Sequence, residues 1–263
     1  MARCAMVTGA SSGIGDAYAT RLAEEGWDLA VVARRRDRLD ELAHRLTEEH
    51  GVSVQAIEAD LADVAQVEAL CQEAARMELG LLVNNAALAH YMRLIDLPPE
   101  DARGLVELNV LAPVLLTRAV VGGMVERGSG AIVSIASLLA FSGGWEGPHL
   151  PRRAVYAARK SFLVTFTQVL ASELLDTGVR AQVVLPGVVR TEFHARQGID
   201  MSTVPRMDPA SVVHASLSDL ERGVVVSIPG ASDESTFRAV LASQRELQEL
   251  TRVVELPDRY LAE

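Results

Sequence analysis

The stretch TGASSGIG, residues 8–15, decides the fold, because it joins a short apolar run at residues 4–7 to a helical pattern at residues 15–25. Its glycines permit a tight turn and a close approach of the backbone to a pyrophosphate. The helix that follows offers unpaired N–H groups and the positive end of its dipole to such an anion. The spacing is not the commoner G-x-G-x-x-G, but a strand, a glycine-rich turn and a helix in this order predict a dinucleotide-binding turn.

Short apolar runs alternate with longer helical patterns along the rest of the chain. The strand-like runs occupy residues 4–7, 29–33, 53–58, 81–83, 131–135, 181–185 and 224–228. The helical patterns include residues 15–25, 36–50, 64–77, 100–126 and 156–175. Most of the runs are continuously apolar, as expected for strands that are buried on both faces of a parallel sheet. We therefore predict one α/β domain over residues 1–263, a Rossmann-like doubly wound fold with about seven mostly parallel strands and helices on both faces.

Two segments depart from this alternation. Residues 142–153 are rich in glycine, proline and arginine, and residues 193–215 are weakly patterned and contain Pro205 and Pro209. Both would leave the carboxyl ends of strands, where ligands bind in an open α/β sheet. Each segment is therefore a candidate substrate-facing loop, and a plain surface loop is the other interpretation.

The composition narrows the class of protein. With 49% hydrophobic and 23% charged residues in 263, the chain is globular rather than disordered or fibrous. A net charge of −10 argues against general binding to nucleic acid or to an anionic membrane. Two cysteines cannot build a disulfide framework, which favours a reducing compartment.

Neither a leader nor a membrane span is indicated. The chain passes from Met1 directly into a strand pattern, and the apolar stretch at 105–125 is interrupted by Glu107, Asn109 and Arg118. We therefore expect a soluble, cytoplasmic protein with a small-molecule substrate and with neither nucleic acid nor membrane as partner.

Three arginines, Arg34, Arg35 and Arg36, follow the second strand. Proteins that bind NAD often place a carboxylate there for the ribose 2′-hydroxyl, and no carboxylate stands at that position here. An arginine fork pairs well with a 2′-phosphate. The sequence thus predicts NADP(H) rather than NAD(H), with Arg34 as the first candidate contact and Arg35 as the second. A solvated basic helix start is the alternative, although cations there oppose the helix dipole.

A series of further motifs follows, each after its own strand or within its own helix. They are NNAA at residues 84–87, Asn109 in the long fourth helix, Ser137 after the fifth strand, YxxxK formed by Tyr156 and Lys160, and PGxxxT at residues 186–191. Together with TGxxxGxG at residues 8–15, this set resembles the short-chain dehydrogenase/reductase family over about residues 3–230. The resemblance implies the Rossmann-like fold and hydride transfer between a nicotinamide cofactor and a carbonyl/alcohol pair.

The resemblance also implies where the cofactor binds. Asp60 and Leu61 match the family's adenine-contacting pair, and Asp60 could equally cap the next helix. Asn84 is expected to brace the sheet, and Ala87 replaces the family's usual glycine. With the arginines above, the candidate cofactor-binding residues are Gly9, Ser11, Ser12, Gly13, Ile14, Gly15, Arg34, Arg35, Asp60, Leu61, Asn85, Ala86, Tyr156, Lys160, Pro186, Gly187, Val189 and Thr191.

Tyr156 and Lys160 are four residues apart on a predicted helix and therefore share a face. A free tyrosine has a pKa near 10, and an ammonium group within about 4–6 Å favours the phenolate. The resemblance implies that Tyr156 is the general acid/base, that Lys160 tunes it and binds the nicotinamide ribose, and that Ser137 polarises the substrate oxygen. It also implies that Asn109 helps to hold a water in a proton relay.

Some neighbouring residues leave alternatives open. Ser134 and Ser142 are rivals to Ser137, although the family's pattern favours Ser137. Arg159 stands where many relatives have a small polar residue; we expect its side chain to point away from the pocket and assign it no chemistry. The connection from Ser137 to Tyr156 is longer than is usual in the family, so residues 142–153 look like an insertion. It would bring Trp145, His149, Arg152 and Arg153 to the entrance, where they either recognise the substrate or are merely solvated.

The sequence therefore predicts an NADP(H)-dependent oxidoreductase that interconverts a carbonyl and a secondary alcohol. A non-catalytic NADP-binding sensor on the same fold is the alternative, and a methyltransferase would leave YxxxK and the arginine run unexplained. The spacing of histidines and cysteines predicts no metal site. The resemblance implies a homodimer or homotetramer packed through the helices near 100–126 and 156–176, and residues 235–263 read as an amphipathic helix with a short end.

Overall fold

The computed structural model describes residues 3–145, 153–233, 235–257 and 260. A seven-stranded sheet is its central feature, and each strand runs parallel to its neighbours. The strands are β1 (Cys4–Thr8), β2 (Asp28–Ala33), β3 (Val54–Glu58), β4 (Leu79–Asn84), β5 (Gly130–Ile135), β6 (Val179–Val184) and β7 (Val226–Ser227). Their order across the sheet is β3-β2-β1-β4-β5-β6-β7. The predicted Rossmann-like fold is confirmed.

Helices cover both faces of this sheet. They are α1 (Gly13–Glu24), α2 (Arg36–His50), α3 (Val64–Arg76), α4 (Pro99–Val106), α5 (Ala112–Glu126), α6 (Ala154–Glu173) and α7 (Pro209–Glu221). Successive strand residues point to opposite faces, so Val7 packs into one core with Leu22 and Leu39, and Met6 packs into the other with Leu70 and Leu116. This double burial is why the strands read as unbroken apolar runs.

The strand order reverses at β1, which lies between β2 and β4. Thr8 pairs with Val32, and Val7 pairs with Val83, so these three strands end at one edge of the sheet. In doubly wound sheets the crevice at such a reversal is where ligands bind. The glycine-rich turn and the NNAA stretch both leave the sheet at this edge.

Two predicted elements differ from the structure. The single helix expected over 100–126 is α4 and α5 joined by a π-helical turn, Glu107–Leu111, a local widening of the kind often found at functional sites. The prediction of a loop over residues 193–215 is wrong for the last part of that range, because α7 begins at Pro209. Proline fits the first position of a helix, and the Asp208 carboxylate accepts a hydrogen bond from the Ala210 N–H at 2.9 Å.

The chain divides into two compact units, Met1–Pro229 and Gly230–Glu263. The sheet, α1 to α7 and the candidate site residues belong to the first unit. The second contains α8 (Ser235–Glu249) and a 3-10 turn, Leu250–Arg252.

Within the described part of the chain, the helical stretch Pro99–Glu126 is long and apolar enough to cross a membrane by length and composition, with a mean hydropathy of 1.7. Its residues Leu105, Leu116 and Met124 are buried, and Leu116 and Met124 belong to the core that covers one face of the sheet. This is the placement of a core helix.

Candidate active site

The glycine-rich turn is closed so tightly that side chains would not fit at any of its three glycines, and a Cβ at Gly15 would meet the Gly9 carbonyl oxygen. Gly9 has φ +67°, and a Cβ there would lie 2.8 Å from the Cα of Ala86. Gly13 has φ +62°, and a Cβ there would lie 2.8 Å from the Cγ2 of Thr191. Both backbones are left-handed, which favours glycine. The turn therefore lies against two other predicted motifs, NNAA and PGxxxT.

A set of hydrogen bonds fixes the NNAA stretch on β1. The Thr8 hydroxyl donates to the Val83 carbonyl at 3.2 Å and accepts from the Asn85 and Ala86 N–H groups at 3.0 and 3.1 Å. The Asn85 side chain donates to the Thr8 carbonyl at 2.8 Å. Asn84, in contrast, is buried and donates to the Thr117 hydroxyl at 3.2 Å. Asn84 thus ties the sheet to α5, and Asn85 shapes the turn.

A cavity of about 1050 Å³ opens along this edge of the sheet. The predicted site residues that line it are Gly9, Ser11, Ser12, Gly13, Ile14, Arg34, Arg35, Leu61, Asn85, Ala86, Ser137, Tyr156, Lys160, Pro186, Gly187, Val189 and Thr191. Gly15, Asp60 and Asn109 are not among its lining residues. Asp60 accepts a hydrogen bond from the Ala62 N–H at 3.0 Å, and Asp63 is the residue that caps α3.

Arg35 lies directly on the glycine-rich turn. Its guanidinium donates to the Ser11 carbonyl at 3.0 Å, to the Ser11 hydroxyl at 2.9 Å and to the Ser12 hydroxyl at 3.0 Å. Arg34, predicted as the first phosphate contact, is more than half exposed and stands 3.8 Å from the Asp60 carboxylate. Both arginines line the cavity, but Arg35 is the one fixed against the turn.

Three guanidinium groups bind the carboxylate of Glu192 beside that turn. It accepts from Arg35 at 3.2 Å, from Arg38 at 2.9 Å and from Arg196. Hydrogen bonding to Arg196, followed by the bonds to the other two arginines, lowers the pKa of Glu192 to about 2. Glu192 therefore stays ionised at any ordinary pH, and it links the segment after β6 to the start of α2.

Tyr156 and Lys160 face the cavity from the first turns of α6 and are both buried. The Lys160 ammonium donates to the Ile135 carbonyl at the end of β5 at 2.5 Å. Burial, and then the charge of Arg159, lower the pKa of Lys160. The lysine is thus anchored at the sheet edge, one helical turn from the phenol of Tyr156.

Ser137 begins a 3-10 turn, Leu138–Phe141, and its hydroxyl oxygen accepts from the Leu139 N–H at 3.2 Å. This contact leaves the hydroxyl hydrogen free to be donated to a bound carbonyl oxygen. Its rivals, Ser134 and Ser142, do not line the cavity. Ser134 is fully buried, and the Ser142 hydroxyl donates to the Leu139 carbonyl at 2.7 Å.

The structure corrects the interpretation of Arg159. Its side chain does not line the cavity, as expected, but it is buried and takes part in the site. The guanidinium carbon lies 4.2 Å from the centre of the Tyr156 ring, and one N–H group donates to the Asn109 side-chain oxygen. The sequence assigns Arg159 no chemistry, whereas the helix turns its side chain inward towards the π-helical turn that carries Asn109.

Asn109 is completely buried, and its side chain is occupied by the protein itself. Its amide nitrogen donates to the Leu105 carbonyl at 2.7 Å and to the Leu88 carbonyl at 3.4 Å, while its oxygen accepts from Arg159. In this arrangement its amide braces the π-helical turn and holds Arg159.

Sequence reasoning missed Tyr91, which follows the NNAA stretch. Its ring centre lies 5.1 Å from that of Tyr156, and it also contacts Phe193 and His194. Burial, and then the proximity of Tyr156, raise the pKa of Tyr91. A single tyrosine in a loop belongs to no helical or strand periodicity that would mark it. Its position shortly after the end of β4 is the one sequence feature that could have indicated that it lies at the cavity.

The insertion at 142–153 is described in part. Trp145 is largely exposed, and Arg153 donates to the Ser142 hydroxyl and carbonyl and to the Trp145 carbonyl at 2.9 to 3.1 Å. Neither residue lines the cavity. His149 and Arg152 lie outside the described residues.

Comparison with known proteins shows which molecules share this architecture. A family model described as short chain dehydrogenase matches residues 3–201. A short-chain dehydrogenase from Sphingobium yanoikuyae in complex with NADPH superposes with a TM-score of 0.91, at 37% identity over 98% of this chain and 99% of its own. A bulky-bulky ketone specific alcohol dehydrogenase from Comamonas testosteroni gives 0.88, at 32% identity over 99% of both chains. The human very-long-chain 3-oxoacyl-CoA reductase is 31% identical over 217 residues, which are 81% of this chain and 67% of that protein.

Proposed function

The chain belongs to the short-chain dehydrogenase family, and on that premise we propose that it is an NADP(H)-dependent oxidoreductase that interconverts a ketone and a secondary alcohol. The observation that carries the proposal is the convergence of Ser137, Tyr156 and Lys160 on the same cavity as the glycine-rich turn. A cofactor and a substrate carbonyl can therefore meet there.

The cavity fits a dinucleotide that carries a 2′-phosphate. The turn is a backbone cradle that a Cβ at Gly9 or Gly13 would obstruct, and it opens the N-terminus of α1 to a pyrophosphate. Arg34 and Arg35 edge the cavity where the second strand ends, which suits the 2′-phosphate. The Sphingobium relative was solved with NADPH, which supports the same choice here. When bound, the nicotinamide supplies or accepts the hydride.

The chain's own residues hold the substrate oxygen and move its proton. Tyr156 gives a proton to the carbonyl oxygen in reduction and takes it from the alcohol in oxidation. Ser137 donates a hydrogen bond to the same oxygen and orients it. Lys160, held by the Ile135 carbonyl, borders the cavity where it can bind the nicotinamide ribose.

The substrate end of the cavity is apolar. Its walls, beyond the residues assigned to cofactor and catalysis, include Tyr91, Leu138, Leu139, Phe193, Ile199, Met201 and Val204. Aromatic and aliphatic walls favour a bulky, largely apolar ketone. The name of the Comamonas relative, a bulky-bulky ketone specific enzyme, supports this class.

The test is a panel of ketones and alcohols, assayed with NADPH and NADH through the absorbance of the reduced cofactor. We expect reduction of bulky, largely apolar ketones with preference for NADPH, and a loss of about 10²- to 10⁴-fold in kcat for Tyr156→Phe, the range of general acid–base catalysis. Binding of NADPH to the variant, measured by calorimetry, should be unchanged. A Tyr156→Phe variant as active as the parent would contradict the mechanism.

A non-catalytic NADP sensor is the second candidate, and no specific observation favours it, because Ser137, Tyr156 and Lys160 all line the cavity. NADPH binding without turnover of any carbonyl in the panel would favour the sensor. We further propose a cytoplasmic homodimer or homotetramer that engages neither membrane nor nucleic acid, in keeping with the net charge of −10.

A further inference from the structure

Arg159 is a buried cation beside the catalytic tyrosine. Only 3% of its surface is exposed, and it stands three residues after Tyr156 on the same face of α6. One N–H group donates to Asn109, whereas the Nε and Nη2 atoms are buried and have no hydrogen-bond partner among the described residues. A guanidinium placed in this way has lost most of its water without gaining a full set of acceptors, which is costly unless another group compensates.

The compensating group is the ring of Tyr156. The guanidinium carbon lies 4.2 Å from its centre, within the range of a cation–π contact. Among the described residues, the groups that favour the charge of Arg159 are Tyr156 and Tyr91, and neither is a carboxylate. Any negative charge that develops on Tyr156 would therefore be the nearest counter-charge available to Arg159.

Arg159 keeps its charge at neutral pH. Burial lowers the pKa of Arg159 to about 10, so that it remains a cation at neutral pH. Burial and Arg159 together lower the pKa of Lys160. Arg159 thus supplies positive charge beside the phenol at neutral pH.

We propose that Arg159 is a positioning residue for the reaction: it fixes the ring of Tyr156 between Asn109 and the cavity and stabilises the phenolate form of that side chain. The inference rests on the proposed function, in which Tyr156 exchanges a proton with the substrate. In reduction the phenolate is left when the O–H bond of Tyr156 breaks and its proton passes to the substrate oxygen, while hydride adds to the carbonyl carbon. In oxidation the phenolate is the form that accepts the proton of the alcohol. Removing the cation should therefore raise the pH at which Tyr156 ionises.

The other groups around the tyrosine are present in every variant of the test. Lys160 follows on the same helix, Tyr91 reaches it from the segment after β4, and Phe193 lies against its ring from the segment after β6. His194 stacks on Tyr91 from the same segment, and burial, followed by Arg206, lowers its pKa. A shift seen only on changing Arg159 is therefore attributable to Arg159.

Two substitutions separate charge from shape. Arg159→Gln keeps a side-chain N–H for Asn109 and removes the charge, whereas Arg159→Lys keeps the charge and loses the planar fork. Arg180→Gln is the matched control, because Arg180 lies on β6, donates to the Leu220 carbonyl at 3.0 Å and does not line the cavity.

The first readout needs no substrate. The ¹³Cζ resonance of Tyr156, assigned by its loss in Tyr156→Phe, is followed against pH with and without NADP⁺. We expect Arg159→Gln to move the midpoint of ionisation up by about one pH unit, the scale of a desolvated cation–π contact. Arg159→Lys should stay within about 0.3 pH unit of the parent, because it retains the cation. Arg180→Gln should not move the midpoint.

The second readout is the pH profile of kcat for alcohol oxidation, in which the acid limb should move with the same sign. Unchanged midpoints in both Arg159 variants, with a fall in kcat alone, would overturn the proposal and leave Arg159 a structural residue. If Arg159→Gln does not fold, Arg159→Lys decides: a midpoint displaced by a full unit despite the retained charge would overturn it too. A parent enzyme that turns over no ketone or alcohol contradicts the proposed function, while the resonance titration still tests Arg159.

Discussion

Tyr91 gives the candidate site a second phenol next to Tyr156. Its ring centre lies 5.1 Å from that of Tyr156, and its ring forms part of the cavity wall with Phe193 and His194. Because burial raises its pKa, Tyr91 remains a neutral hydroxyl and can donate a hydrogen bond to a phenolate or to a substrate oxygen. We therefore expect Tyr91 to orient the substrate and Tyr156 without exchanging a proton itself.

Replacing Tyr91 by phenylalanine should lower kcat for ketone reduction about 3- to 10-fold, the effect of one hydrogen bond of about 1 kcal/mol. The affinity for NADPH should not change, because the ring that shapes the wall is retained. Steady-state kinetics on the panel ketones and calorimetry with NADPH measure the two quantities.

Tyr18→Phe is the matched control for that variant. Tyr18 is fully buried and donates to the Ser216 hydroxyl at 2.5 Å, away from the cavity. Losing this bond should cost about 1 kcal/mol of unfolding free energy and lower the Tm by about 2–4 °C, while kcat stays at the parent value. The opposite pattern, in which Tyr18→Phe impairs turnover and Tyr91→Phe does not, would contradict the role given to Tyr91.

At this scale the sequence identifies residues whose spacing carries the chemistry and misses those placed by tertiary contacts. Tyr156 and Lys160 are found because four residues make one helical turn. Arg159 and Tyr91 are not found, because the role of each depends on a contact that only the fold creates. Arg159 binds Asn109, and Tyr91 packs against the ring of Tyr156, and both partners are remote in sequence. Charged side chains are usually exposed, so the buried orientation of Arg159 could be seen only in the three-dimensional structure.

The segment that follows β6 ties the two ends of the cavity together. Glu192 binds Arg35 and Arg38 at the end of the cavity that we propose for the 2′-phosphate. Its neighbours Phe193 and His194 line the end that we propose for the substrate. Exposed ion pairs contribute little one at a time, and here several guanidinium groups share one carboxylate in a network. A cofactor phosphate placed at these arginines would compete with Glu192 for them.

Glu192→Gln should therefore act in opposite directions on the two ligands. The affinity for NADPH should rise about five- to tenfold, since a competing charge worth about 1 kcal/mol is removed, and the affinity for NADH should not change. The KM for the ketone should rise, because Phe193 and His194 lose their anchor. Fluorescence titration with each cofactor and steady-state kinetics measure these effects.

Glu25→Gln is a control of the same chemistry, since Glu25 pairs with Arg21 at 2.7 Å on the surface at the end of α1. It should leave both affinities and the KM unchanged. Equal gains for NADPH and NADH in Glu192→Gln would show that the carboxylate does not compete with the 2′-phosphate.

Among the elements, the strands follow a simple local rule, but two helix boundaries do not. The π-helical turn at Glu107–Leu111 has the same apolar pattern as the helices on either side, so periodicity predicts one helix. Pro209 reads as a helix breaker, although at the first position its missing N–H is not needed. Both differences lie at the rim of the site, where the Asn109 amide and the segment after β6 must be placed.

For the molecule as a whole, alternating strands and helices are enough to predict a parallel sheet covered on both faces. The right-handed crossover rule then leaves few arrangements of seven strands, and the observed order reverses once, at β1 and β4. Assembly cannot be predicted in this way, because a surface that contacts a partner subunit has no periodic sequence pattern. Val125 on α5 and Val169 on α6 are exposed apolar residues on the helices for which we propose contacts between subunits.

A chain that ends at Pro229 should fold and assemble as the full chain does. The sheet and the described residues that form its buried cores all lie before that residue, whereas α8 contributes no buried residue. Loss of exposed residues should change the unfolding free energy by less than about 1 kcal/mol, so the Tm should fall by no more than about 2–4 °C. Light scattering should give the same number of subunits, since the proposed contacts are made by α5 and α6. A smaller assembly in the shortened chain would instead place the tail between subunits, and a loss of cooperative unfolding would make it part of the fold.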